Sequence, residues 1–120
     1  MKILRKIFVV MMIILLAGLP AYGATQGETN ALTSAKSYLD VMAFSYSGLI
    51  YQLEQFEGFS HSEAVYAANN CGADWNEQAL KKATEYLSVM KLSRNVLIEH
   101  LISIEGFTRE QAQYGAVNSY

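Results

Sequence analysis

The sequence predicts an all-α protein in which two tandem three-helix repeats follow an N-terminal signal segment. Three observations support this prediction. The first 23 residues have the layout of a secretory signal peptide, the other 97 of the 120 residues contain an internal duplication, and apolar residues in each copy recur at helical spacing. With 52% hydrophobic and 17% charged residues, the composition excludes a disordered chain.

Residues 1–23 are predicted to direct export. A basic start is followed by an uncharged, mostly apolar run at residues 7–19, which is short for a membrane-spanning helix of about 20 apolar residues. Ala21 and Gly23 place small residues at the −3 and −1 positions of a cut before Ala24. Cleavage would give an exported protein, secreted or at the cell surface, and an uncleaved segment would tether it to the membrane.

Residues 31–70 and 79–118 align as two copies of one unit at an offset of 48, without a gap. Identical residues occupy 18 of the 40 aligned positions, where residue frequencies alone give roughly 2 or 3. We therefore predict a first repeat at residues 24–72 and a second repeat at residues 73–120. The first repeat has no counterpart of Trp75, which is expected to wedge the repeats together at their short junction.

The first helix of each repeat is predicted from apolar residues at spacings of three and four. Its start has the spacing of a capping box, Thr25-x-x-Glu28 in one repeat and Asp74-x-x-Glu77 in the other. The predicted buried stripe is Leu32, Ala35, Tyr38, Leu39 and Met42, copied as Leu80, Ala83, Tyr86, Leu87 and Met90.

The second helix is expected to begin at an N-cap serine, Ser45 or Ser93. It is expected to stop at Gly58 or Gly106, because glycine takes a positive φ without a Cβ penalty. The predicted buried stripe is Leu49, Ile50, Leu53 and Phe56, copied as Leu97, Ile98, Leu101 and Ile104.

The third helix is expected to start immediately after that glycine. Its start has a capping box in both copies, Ser60-x-x-Glu63 and Thr108-x-x-Gln111. The sequence Glu-Gly-Phe-Ser/Thr therefore predicts a tight corner between the second and third helices, which is a helix–turn–helix in the geometric sense.

The residues show no pattern of an enzyme, a metal site or a cofactor site. His61 and His100 lie in different repeats without a second ligand at metal-binding spacing, and we interpret both as surface residues. Cys71 lacks a neighbouring histidine or basic cluster, so we interpret it as a packed small residue, with a disulfide between two copies as the alternative. Residues 61–70, where a DNA-reading helix would lie, contain no Lys or Arg, which argues against nucleic acid.

The exported part is acidic, and most of its negative charge lies in the first repeat. That repeat has one base, Lys36, against five acids, for a net charge of −4, whereas the second has five bases against six acids. The first repeat is therefore the predicted surface for a cationic protein partner, and solvation and helix capping are the alternative roles of its acids. The predicted partner-binding residues are Asp40, Tyr46, Tyr51, Glu54, Glu57 and Glu63.

Several stretches together resemble a known family. They are Ala31-Leu32-x-Ser34-Ala35-x-Ser37-Tyr38-Leu39, Phe44-Ser45-x-x-Gly48-Leu49-Ile50-x-Gln52-Leu53, Glu57-Gly58-Phe59-Ser60 and Asn70-Cys71-Gly72-Ala73-Asp74-Trp75-Asn76-Glu77-Gln78-Ala79. Nearly all of residues 28–118 resemble the Ltp-like host-cell surface-exposed lipoproteins of Gram-positive bacteria and their phages. The resemblance implies two tandem helix–turn–helix-like domains displayed outside the membrane.

The resemblance also implies a function. Prophage-encoded members act in superinfection exclusion, and they are thought to block the injection of phage DNA by engaging the tape-measure protein through an acidic surface. Unlike the lipoprotein members, this chain has no lipobox cysteine at residues 19–24, since its only cysteine is Cys71. We thus predict an exported, non-enzymatic protein-binding module that excludes phages. The alternatives are a secreted surface or adhesion module unrelated to phage and, third, a cell-wall enzyme.

Overall fold

The computed structural model describes residues 23–120, and this part of the chain contains six α-helices and no strand. In chain order they are α1 Gln26–Val41, α2 Tyr46–Gln55, α3 His61–Asn70, α4 Trp75–Val89, α5 Arg94–Ser103 and α6 Arg109–Ser119. The predicted all-α class with three helices in each repeat is confirmed.

The predicted signal segment lies outside the described residues, apart from its last residue, Gly23. Both Gly23 and Ala24 are exposed, and cleavage between them stays a prediction. Within residues 23–120, no helix is both long enough and apolar enough to span a membrane.

Reciprocal capping boxes fix the start of three helices. At α3 the Ser60 hydroxyl accepts a hydrogen bond from the Glu63 amide at 3.2 Å, and the Glu63 carboxylate accepts one from the Ser60 amide at 2.9 Å. The same two bonds join Thr108 to Gln111 at α6 and Thr25 to Glu28 at α1. Each box satisfies two backbone N–H groups at the helix start.

The start of α4 differs from the predicted capping box. The Asp74 carboxylate accepts hydrogen bonds from the amides of Asn76 and Glu77, at 3.0 and 3.3 Å. The Glu77 carboxylate, however, accepts a hydrogen bond from the Tyr114 hydroxyl at 2.9 Å. The glutamate expected in a local cap therefore ties α4 to α6.

Each repeat turns between its second and third helices at a glycine with positive φ. Gly58 has φ of 78° and Gly106 has φ of 85°, a region that strains residues with a Cβ. The amides of Gly58 and Phe59 donate to the carbonyl oxygens of Glu54 and Leu53, at 3.2 and 3.1 Å. These bonds close the end of α2 and direct the chain into α3, as the sequence predicts.

Each repeat has its own core, built of alanine, branched apolar side chains and one phenylalanine. The first core contains Ala31, Ala35, Phe44, Leu49, Leu53, Ala64, Ala67 and Ala68, and the second contains Ala79, Ala83, Leu97, Ile98, Leu101, Phe107, Ala112 and Ala116. Small side chains allow close helix packing: a Cβ added to Gly115 of α6 would lie 2.6 Å from the Ala79 carbonyl oxygen of α4.

Four apolar residues that the sequence places in buried stripes are exposed. Phe56 and Ile104 are 68% and 64% exposed, and Met42 and Met90 are also exposed. Phe56, Ile104 and Met90 are C-cap residues, and Met42 follows the end of α1. The helical spacing continues to these positions, but the helices end before them, and the buried side chains lie earlier in each helix. The prediction of their burial was therefore wrong.

Contacts at the start of α2 join the two repeats, and residues 31–120 form one compact unit. Ser45 is 1% exposed, and its hydroxyl donates to the Glu105 carbonyl oxygen. The Ser47 hydroxyl donates to the Gly106 carbonyl oxygen at 3.1 Å. The first turn of α2 therefore lies directly on the α5–α6 corner of the second repeat.

A second set of contacts lies beside the first. The Phe44 amide donates to the side-chain oxygen of Gln78, a residue only 6% exposed, at 3.0 Å. Trp75 packs against the first core, and its ring meets that of Tyr46 edge-on with centroids 5.6 Å apart. The predicted wedge at Trp75 is confirmed.

Candidate partner-binding surface

The predicted partner-binding residues lie in three places. Glu54, Glu57 and Glu63 are close in sequence around the α2–α3 turn, with Tyr51 one helical turn earlier. Tyr46 lies at the junction of the repeats, and Asp40 lies near the end of α1. We call residues 51–63 the acidic corner, because three of the five acids of the first repeat lie there.

The Glu54 carboxylate connects the two helices of the acidic corner. Its Oε2 atom lies 2.5 Å from Nδ1 of His61, whose side chain is 77% exposed. In the second repeat the position of His61 is taken by Arg109, which pairs with Glu99 at 3.2 Å. The corner of the second repeat therefore carries a permanent positive charge at a position where the acidic corner carries a histidine.

A tyrosine of the first helix holds the corner glutamate in each repeat. The Tyr38 hydroxyl donates to Glu57, and the Tyr86 hydroxyl donates to Glu105 at 2.7 Å. Burial of Tyr86, together with its hydrogen bond to Glu105 and the charge of that carboxylate, raises the pKa of the Tyr86 hydroxyl to about 12. Each tyrosine thus ties the corner of its repeat to the first helix, and Glu57 remains exposed in this arrangement.

An exposed aromatic pair lies beside the carboxylates. Tyr51 is 59% exposed and Phe56 is 68% exposed, and their rings meet edge-on with centroids 6.3 Å apart. The second repeat has Glu99 and Ile104 at these positions. Exposed aromatic rings are enriched at protein interfaces. Spacing alone assigned Phe56 to the core, so the sequence prediction found only half of the pair.

Two other predicted residues make internal contacts. Glu63 is part of the α3 capping box. The Tyr46 hydroxyl donates to Oδ1 of Asn69 at 2.8 Å, and its ring packs on Trp75. These bonds use the Tyr46 hydroxyl and one oxygen of the Glu63 carboxylate. Tyr51 is the more exposed of the two predicted tyrosines.

Asp40 lies apart from the acidic corner. It is exposed and lines a cleft of about 380 Å³ formed by residues 39–43 and part of α4. Lys81 and Glu85 also line this cleft, so its charges are mixed. The structure therefore divides the predicted surface into an acidic corner and a separate cleft of mixed charge.

The cysteine and the two histidines are the other residues considered from the sequence as nucleophiles or metal ligands. No three potential metal ligands cluster among residues 23–120. Cys71 is free and packs against the first core, with its sulfur 3.5 Å from the Ala68 carbonyl oxygen. His61 is exposed as predicted, but the same prediction for His100 was wrong: it is half-buried, with its ring edge-on to Tyr86 at 5.6 Å.

Comparisons with known proteins agree with this architecture. The family model described as host cell surface-exposed lipoprotein matches residues 27–71 and again residues 74–119. A solved structure similar to the chain is that of Ltp, a superinfection exclusion protein from the Streptococcus thermophilus temperate phage TP-J34. The identity is 32%, the match covers 80% of this chain and 98% of that one, and the TM-score is 0.76. No curated protein sequence matches the chain.

Proposed function

The chain belongs to the family of host cell surface-exposed lipoproteins, and from this premise we propose that it excludes superinfecting phages by binding a cationic phage protein. The solved relative is described as a superinfection exclusion protein. The proposed partner is the tape-measure protein of the incoming phage, and its capture stops DNA injection without any covalent step.

The observation that carries this proposal is the charge of the acidic corner. Three carboxylates and one histidine lie within residues 51–63, next to the exposed pair of Tyr51 and Phe56. A cluster of negative carboxylates attracts a cationic partner over about 10 Å at moderate ionic strength. The exposed aromatic rings then make apolar contacts with the bound partner.

The local bonds of the acids suit this role. Glu54 and Glu57 each bridge two elements, through His61 and Tyr38, so both carboxylates are held in place before a partner binds. Side chains that are already ordered lose less conformational entropy on binding. The acidic corner is therefore a preorganised anionic surface.

Neutralising the acidic corner tests the proposal. The variant combines Glu54→Gln, Glu57→Gln and Glu63→Gln, which keeps the size of each side chain and its ability to accept hydrogen bonds. Gln111 already fills the position of Glu63 in the second repeat, so the capping box of α3 should survive. With about 0.5 kcal/mol for each exposed charge contact, partner affinity should fall about tenfold.

The matched control removes the same charge from the second repeat, through Glu85→Gln, Glu99→Gln and Glu110→Gln, all at exposed positions. Phage DNA injection is measured in cells that carry each variant at equal abundance. We expect the corner variant to lose exclusion and the control to keep it. Equal exclusion by both variants would contradict a role for the acidic corner.

A further inference from the structure

The two corners of the molecule differ in what covers them. On the second repeat, the carbonyl oxygens of Glu105 and Gly106 accept hydrogen bonds from Ser45 and Ser47. A Cβ added to Gly106 would clash with the Ser47 side chain, whereas nothing in the described part of the chain, apart from the neighbouring residues, lies within 4 Å of one added to Gly58. The corner of the first repeat is thus an uncovered copy of a surface that already binds a helix start.

We propose that this uncovered corner, Glu57-Gly58, docks the first turn of an α-helix from the partner protein. The inference rests on the proposed function, because the docked helix belongs to the phage protein proposed above. The helix would carry a Ser or Thr N-cap, a second hydroxyl two residues later and a glycine one residue after that. Lysine or arginine would lie nearby.

The internal contact shows why a helix start fits. A hydroxyl has one donor and two acceptor positions. The Ser45 hydroxyl accepts from the Gly48 amide at 2.9 Å, which caps α2, and donates to the Glu105 carbonyl oxygen. A Cβ on Gly48 would lie 2.9 Å from this hydroxyl and 3.4 Å from the Glu105 oxygen, so glycine leaves room for the hydroxyl between the helix start and the corner. One hydroxyl thus caps its own helix and binds the corner.

The charge of the two corners differs, and this difference sets the charge of the partner. The internal helix start, residues 43–48, is uncharged, and it lies on a corner where Arg109 offsets Glu99. The acidic corner has three carboxylates around the equivalent turn and no lysine or arginine between residues 51 and 63. It therefore favours a helix start with cationic neighbours.

A second copy of this chain is a poor occupant. Its candidate helix start is that of α5, where Val96 replaces the glycine at position 48 of the first repeat. Tyr120 also covers that start: its hydroxyl donates to the Leu92 carbonyl oxygen, and Arg94 lies 5.4 Å from its ring centroid. The branched side chain and the C-terminal tyrosine both obstruct head-to-tail docking.

A peptide that copies the internal helix start tests the docking directly. The probe is a synthetic peptide of residues 42–55, held helical by a lactam bridge across its last turn, with two lysines added at its N-terminus. Amide chemical shifts are followed in the isotope-labelled protein of residues 24–120. We expect saturable shifts at Glu57, Gly58 and Phe59, and none with a peptide in which both serines are alanine. Absence of shifts at these three residues would overturn the proposal.

Two glycines provide a matched pair of variants. Gly58 and Gly72 both have φ of 78°, and apart from the neighbouring residues neither has a described atom within 4 Å of an added Cβ. Asparagine tolerates this backbone better than other side chains, so Gly58→Asn and Gly72→Asn should fold with similar strain. Only Gly58→Asn obstructs the corner. We expect it to weaken peptide binding at least tenfold and Gly72→Asn to leave binding unchanged. Equal binding by the two variants would contradict the proposal.

The same pair separates the docking inference from the proposed function. In cells challenged with phages, the Gly72→Asn variant should exclude phages to the same extent as the unchanged protein. The Gly58→Asn variant should lose this exclusion. If the unchanged protein excludes phages and both variants do so equally, docking at the corner is wrong and the function stands. If the unchanged protein excludes no phage, the proposed function is wrong. The amide shifts of the protein on adding the peptide then decide alone whether the corner binds a helix start.

Discussion

The bond between Tyr86 and Glu105 shows how one side chain holds a turn in place. The two residues are 19 positions apart, and the hydroxyl reaches from the last turn of α4 to the α5–α6 corner at 2.7 Å. Tyr38 makes the same bond to Glu57 in the first repeat. Because Tyr86 must stay protonated to donate, its contact with Glu105 depends on pH at the alkaline end.

The alkaline stability of the protein should therefore depend on Tyr86. Its pKa is about 12 in the folded protein, against an ordinary value of 10.0, so folding favours the protonated hydroxyl. This contribution is complete below pH 10 and is lost as the pH rises towards 12. Tyr86→Phe should lower the free energy of unfolding at neutral pH by about 0.5–1.5 kcal/mol and flatten its decline between pH 10 and 12.

Urea unfolding at pH 7, 10, 11 and 12 measures this effect, with Tyr51→Phe as the control because the Tyr51 side chain is largely exposed. The control should follow the unchanged protein over the whole range. An equally steep alkaline decline in Tyr86→Phe would show that the bond to Glu105 does not stabilise the fold.

Among the helices, the starts of α2 and α5 offer a direct comparison of one element in two settings. Both have a serine N-cap, in which the hydroxyl accepts from the amide three residues later, at 2.9 Å for Ser45 and 3.2 Å for Ser93. Ser45 is buried and also binds Glu105, whereas Ser93 is exposed. Substituting each serine therefore separates the stability that comes from capping a helix from the stability that comes from joining the two repeats.

Ser93→Ala should lower the free energy of unfolding by about 1 kcal/mol, the usual contribution of a cap. Ser45→Ala should lower it by about 1 kcal/mol more, because the Glu105 carbonyl oxygen is then left without this donor at a part-buried contact. Denaturant titration of both variants measures the difference. Equal losses would mean that the bond between the repeats contributes nothing to stability.

The sequence predicted the helix starts better than the helix ends. Caps at Ser45, Ser60 and Thr108 follow from local residue types, because a capping bond spans only three residues. Phe56 and Ile104 were misplaced for a different reason: helical spacing gives the face of a residue but does not show where the helix ends. Both are C-cap residues, just past the last turn of their own helices.

At the scale of the whole molecule, the duplication predicted two similar units but not their asymmetry. The residues Glu-Gly-Phe are identical in both corners, yet only that of the second repeat is covered by α2. One residue indicated this difference in packing: the start of α2 has Gly48, whereas the start of α5 has Val96 at the equivalent position. Which corner the start of α2 packs against, however, depends on contacts between residues far apart in the sequence, and local sequence patterns do not specify such contacts.

The candidate surface was likewise predicted in part. Charge counting identified the acids of the first repeat, because net charge needs no geometry. It did not separate Asp40, which lines a cleft with Lys81, from the acidic corner. It also gave no sign that Glu54 and Glu57 are held by His61 and Tyr38, since those contacts join residues on different elements, α2 with α3 and the turn with α1.

Phage exclusion before DNA injection is the central claim, and one experiment on cells tests it most directly. Cells with and without the gene are challenged with a panel of phages, and both adsorption and the injection of phage DNA are measured. For at least one phage, adsorption should be equal and injection should fall in cells that make the protein. Equal injection for every phage, with the protein present outside the cell, would contradict the claim.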